Sequence, residues 1–142
     1  MANVVMNRFK TQSMDAGIDL TSQPIYCALI NSQFALSSTT QIADVQTFSS
    51  VQAAWETSGV NYTAGGTALS ATSVYEDDVN DKSVFSAANI TWPTATVTAY
   101  GAFIYRQTDS AAICVVDFGE AKTSTAGDFT IQWNAAGIIN LT

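Results

Sequence analysis

The sequence predicts an all-β fold, an antiparallel β-sandwich of jelly-roll type carrying a short N-terminal helix or arm. Three observations lead there. Helical spacing is confined to the first residues; a compact apolar strand follows at PIYCALI; and from Thr67 onward short alternating segments are separated by turn residues. With 142 residues the chain forms one domain spanning 1–142, long enough to bury roughly two-thirds of its unfolded surface without disulfide or metal.

In the first segment, residues 3–16, Val5, Phe9 and Gln12 or Ser13 recur at helical spacing, and Asp15 and Gly17 close the run. In PIYCALI, Ile25, Cys27 and Leu29 share one face and Tyr26, Ala28 and Ile30 the other. Residues 31–50 are rich in Ser and Thr with isolated Phe34, Leu36, Ile42, Val45 and Phe48. That pattern predicts a long loop pinned by apolar anchors, with a short helix over Gln41 to Val45. The N-terminal segment, about 1–20, and this loop are the expected contact elements.

Strands are predicted near 67–75, 83–86, 89–92, 95–106, 111–118, 128–134 and 137–141. In the last but one, Phe129, Ile131 and Trp133 point one way and Asp128, Thr130, Gln132 and Asn134 the other, so one face meets water. Val97, Ala99, Gly101, Phe103 and Tyr105 alternate with Thr98, Tyr100, Ala102, Ile104 and Arg106. Apolar groups on both sides predict a central strand covered on both faces, with Gly101 at a bulge or close approach. Turns are expected at Asn80 to Lys82, Gln107 to Ser110 and Gly119 to Gly127, and Trp92-Pro93 should end a strand at a corner.

Composition restricts function. Hydrophobic residues make up 47% but charged residues only 12%, about half the usual share, so part of the surface is expected to meet a partner. The net charge of -7 provides no basic footprint for nucleic acid and no polybasic patch for a membrane. The N-terminus lacks a signal-peptide pattern, which predicts folding in a cytoplasm. Without histidine there is no Ser-His triad, Cys-His pair or histidine metal site, and five Lys and Arg provide no phosphate clamp. No enzyme, cofactor or metal is therefore predicted.

Each remaining group with chemical potential has a structural reading beside the functional one. Glu76, Asp77, Asp78 and Asp81 suit a hard cation, or a solvated turn lacking the glycine and final glutamate of an EF-hand loop. Asp117 and Glu120 form a carboxylate pair of the kind glycoside hydrolases use, which would make either one's amide variant inactive. Gly65-Gly66 lacks the lysine of a phosphate loop and reads as a tight turn. Trp55, Trp92 and Trp133 with Tyr62, Tyr75 and Tyr100 are core residues or a sugar-stacking platform. Cys27 and Cys114 lie in apolar runs as buried thiols, with a disulfide between them left open. Spacing rejects an immunoglobulin reading of Cys27, Trp92 and Cys114.

These motifs resemble a family of small virion proteins from tailed bacteriophages. Ala16-Gly17-Ile18-Asp19-Leu20 is similar to its "GEIDL" turn, Ile25 to Ile30 to its "IKVALL" strand, and Ser58 to Gly66 to its "GTGYTAGG" turn. Phe85 to Trp92 resembles "F-A-x-x-V-T-W", and Phe129 to Ile138 resembles "FTIQW-A-G-I". The likeness spans nearly the full length and departs at Val60-Asn61, where a glycine is usual, and in the 31–50 loop. It implies a virion protein assembled in the host cytoplasm. Its expected role is a capsid cement or decoration protein that self-associates, with a trimer favoured, and docks on the major capsid protein. The alternative is a tail, fibre or baseplate component with receptor or glycan recognition. The acidic charge favours an outer position, away from packaged DNA.

Overall fold

A computed structural model describes residues 3–31 and 43–141. Its elements are β1 (Val4–Val5), α1 (Asn7–Met14), β2 (Ile25–Ile30), α2 (Gln52–Trp55), β3 (Thr67–Ala68), β4 (Ser73–Asp77), β5 (Lys82–Ser86), β6 (Ile90–Arg106), β7 (Ala111–Ile131) and β8 (Ile139–Leu141). They form a five-stranded sheet ordered β1-β7-β6-β2-β3 and a three-stranded sheet ordered β4-β5-β8, with every pair antiparallel. The fold is all-β with a short N-terminal helix, as the alternation predicts.

The large sheet is covered on both faces where β2, β6 and β7 run together. One face carries Cys27, Leu29, Ile104 and Ile113, packed against Phe9 of α1, Phe85 of β5 and Ile139 of β8. The other carries Ala28, Ile30, Phe103 and Tyr105 beneath Met6 and Phe48, with Val45, Val51 and Trp55 at the margin. Two apolar faces explain why IYCALI is apolar throughout. The described end of the 31–50 loop folds onto this second face. Phe48 is 1% exposed and lies against Phe103 and Tyr105. Phe34, Leu36 and Ile42 lie outside the described residues, as does Gln41, so only Ala43 to Val45 of the helix expected over Gln41 to Val45 are described, and Asp44 and Val45 are not helical.

Several boundaries differ from expectation. Val5, placed in the helix by its spacing, instead pairs with Cys114 in β1, and the helix starts only after Met6. The strand expected over 67–75 is split, because Ala71 adopts a positive φ of 50° where the chain crosses between sheets. The segments 89–92 and 95–106 are one 17-residue strand. Pro93 does not end it. The ladder shifts register between Trp92 and Ala95, so the proline's missing N–H falls at an irregularity in the pairing.

The turn expected at Gly119 to Gly127 is also strand, part of the 21-residue β7. Its composition suggests a loop, yet Lys122, Thr123 and Ser124 pair with Ala99, Thr98 and Val97. Thr98 and Thr123 share a hydroxyl hydrogen bond of 3.0 Å, and Ser124 donates to the Ala95 carbonyl at 2.8 Å. At its far end β7 stops at Ile131, short of the predicted Asn134. Trp133 has left the ladder there, but its indole still packs on the core and donates to the Ala88 carbonyl at 3.0 Å.

Alternation in β6 does not survive Gly101. Val97 and Ala99 face the first core, whereas Phe103 and Tyr105 face the second. The register shift between Ala99 and Gly101 inverts the side-chain parity. Gly101 is required there, since a Cβ would come 2.6 Å from the Val116 carbonyl oxygen.

Candidate functional site

An open apolar groove separates α1 and the turn after it from the three-stranded sheet. It encloses about 450 Å³ between Phe9, Ile18 and Leu20 on one side and Val74, Val84, Phe85, Ile139 and Leu141 on the other. Phe85 and Ile139 are buried, while Val74 at 53% and Leu141 at 42% exposure form an unpartnered rim. The volume falls in the range of ligand-binding pockets, and the lining is mostly hydrophobic.

Its N-terminal wall is held rigidly by polar groups. Asp19 accepts the Thr21 and Ser22 N–H groups at 2.9 and 3.2 Å and both of their hydroxyls. The Ser22 hydroxyl and the Thr21 amide hold this carboxyl far below the ordinary carboxylate range. Gln23 accepts the Asp19 N–H at 2.9 Å and an Arg106 N–H at 3.0 Å, and Arg106 also donates to the Gly17 carbonyl at 2.6 Å. Arg106, the last residue of β6, thus fixes the groove's wall to the large sheet. The sequence offered one signal of this role, a lone arginine ending a strand otherwise rich in apolar residues.

The acidic turn adjoins the groove, and Ser83 and Leu141 line both. Asp77 accepts from the Asn80 amide at 2.8 Å and meets Lys82 at 4.0 Å; the Asn80 bond is the main reason its carboxyl lies below the usual range. Glu76, Asp78 and Asp81 project from this turn into solvent. Among the described residues no group of three His, Cys, Asp or Glu is arranged to hold a metal.

The other candidates resolve into structural roles. Asp117 accepts the Gly119 N–H at 2.9 Å where the β6–β7 register breaks, and Glu120 pairs on the surface with Lys122 at 2.7 Å. Gly65 and Gly66 both have positive φ, and a Cβ on Gly66 would collide with the Cys27 carbonyl. The adjoining Tyr62 accepts the Leu29 N–H at 2.9 Å and donates to Glu56 at 2.8 Å, which also receives the Gly65 N–H. Burial drives the Tyr62 hydroxyl far above the ordinary phenol range. Glu56, a partner that the sequence pattern did not reveal, is the hub joining the glycine turn to β2.

The aromatic residues do not form one exposed platform. Trp92 is buried between Tyr62 and Phe129, and Trp55 packs toward Phe103, leaving Tyr75 and the half-buried Tyr100 apart from them. Cys27 and Cys114 are buried free thiols on opposite sides of Ile104, which pairs with both. A separation of two strands, about 9.6 Å, exceeds what a disulfide can bridge. Compared with known proteins, the chain matches no family model, no curated protein and no solved structure.

Proposed function

We propose that this chain is a structural protein of a tailed-phage virion, a capsid cement or decoration protein. In this reading it stabilises the shell by self-association and by docking on the major capsid protein. The motif resemblance supplies the biological setting. The observation that carries the docking role is the apolar groove with its exposed Val74 and Leu141 rim. Glu56, Tyr62, Arg106 and Asp109 are meanwhile engaged in holding the domain together.

A protein that binds only the assembled shell shifts the assembly equilibrium toward it, and repetition over equivalent sites multiplies the effect. The two motifs that resemble those of the virion family serve that task indirectly. Tyr-Thr-Ala-Gly-Gly locks a turn onto β2, and Phe-Thr-Ile-Gln-Trp fills the core.

The test combines light scattering of the purified protein at two concentrations with its copy number in purified virions by quantitative mass spectrometry. A closed oligomer, with a trimer favoured, and a copy number comparable to that of the major capsid protein are expected. A copy number far below the capsid protein's would move the assignment to the tail, fibre or baseplate. Absence from the particles would overturn the virion reading altogether.

A further inference from the structure

The groove and the acidic turn are one continuous surface with two chemistries. At one end Val74 and Leu141 overhang Val84, Phe85 and Ile139. At the other, Glu76, Asp78 and Asp81 surround Lys82, whose ammonium lies 4.0 Å from Asp77. No side-chain hydrogen bond or ion pair joins the carboxylates of Glu76, Asp78 or Asp81 to another described residue, so the turn keeps an excess of negative charge directly beside exposed apolar groups.

We infer that this surface docks a segment of a different protein in which apolar side chains stand next to Lys or Arg. The inference rests on the docking role proposed above and names the chemistry of the partner. Apolar side chains would fill the groove, and the basic group would meet the carboxylates at its end. Such an arrangement has a buried centre with charge at its margin, which fixes register and speeds encounter.

A second copy of this chain is a poor occupant. Each copy carries a net charge of -7 with only five Lys and Arg. Arg8, Lys82, Arg106 and Lys122 already face carboxylates of their own chain, and Lys10 contacts Asn7. A second copy would therefore bring acid to acid.

The experiment is a selection of random twelve-residue peptides on the folded, full-length protein, followed by synthesis of the enriched peptides and fluorescence-anisotropy titration. Enriched peptides should combine apolar residues with Lys or Arg. Their affinity should fall at least tenfold with Val74→Asp or Leu141→Asp, and severalfold with Asp78→Lys or between low and high salt. All three substituted side chains are solvent-exposed, and unchanged circular dichroism and urea midpoints would verify that the variants fold.

Failure to enrich any peptide, enrichment of neutral or acidic peptides, or equal binding to the Val74→Asp and Leu141→Asp variants would overturn the inference. Solution size and virion copy number are measured independently of the peptide selection. A failed selection with a closed, abundant virion oligomer removes only the groove's role, whereas absence from virions removes the broader reading.

Discussion

Arg106 grips Asp109 through two parallel bonds, Nε to Oδ1 at 2.9 Å and Nη2 to Oδ2 at 2.7 Å, while its remaining nitrogen reaches back to Gly17 and Gln23. Arg106 is 8% exposed, so losing its counter-charge leaves a largely desolvated cation. Asp109 is itself partly exposed, which moderates the loss. Asp109→Asn should therefore cost about 1 to 3 kcal/mol of unfolding free energy at neutral pH, read from urea denaturation.

The same pair sets an acid dependence. Hydrogen bonding to Arg106 lowers the Asp109 carboxyl from 3.8 to about 2. A depressed folded-state value means that the carboxylate's contribution is complete above pH 3.8 and disappears as pH falls through about 2. The stability difference between wild type and Asp109→Asn should thus be constant from pH 7 to 5 and shrink steadily below pH 4. A difference that stays constant down to pH 2 would show that the charge of Asp109 contributes nothing.

Two glycines with similar backbone angles should respond very differently to alanine. Gly66 has φ +77° and its Cβ would strike the Cys27 carbonyl, so Gly66→Ala must move β2 or the turn. A loss of at least about 3 kcal/mol is expected. Gly119 has φ +81° with nothing within 4 Å of its Cβ, so Gly119→Ala should cost only about 1 kcal/mol, the conformational penalty alone. Comparable urea midpoints for the two variants would contradict the steric account.

Tyr62→Phe isolates a different effect, because it removes one oxygen while leaving the ring against Trp92. Both the Leu29 N–H and the Glu56 carboxylate lose a partner. A cost of about 1 to 3 kcal/mol is expected, together with faster hydrogen exchange at the Leu29 amide. Unchanged exchange at Leu29 would exclude the proposed hydrogen bond.

The fold class, the strand at Ile25–Ile30 and the two-faced burial of the later part of β6 were legible because period-two apolar patterning reports burial directly. Strand length was not. Pro93 and the Gly119 to Gly127 segment carry breaker chemistry, yet pairing across the β6–β7 ribbon overrides it through register shifts invisible in one dimension. The groove was equally hidden, since Val74 and Leu141 lie 67 positions apart and meet only because β4 and β8 flank β5. The glycine turn was readable at Gly65-Gly66, but its partner Glu56 sits in an unremarkable polar stretch.

Cys27 and Cys114 should remain thiols under oxidising conditions as long as the domain is folded. Burial pushes the Cys27 thiol well above its ordinary range, with the nearby Cys114 adding to the shift, and pushes Cys114 up to about 12. At pH 8 almost no thiolate forms, and thiolate is the reactive species. Ile104 lies between the two strands that carry them, so oxidation cannot join them without moving β6 out of the sheet. Native protein with Ellman's reagent should show a negligible burst and a slow reaction limited by unfolding, whereas both thiols should titrate at once in 6 M guanidinium, roughly the strength that unfolds even very stable domains. Rapid labelling of either thiol in the native protein would mean that the first core is open to solvent.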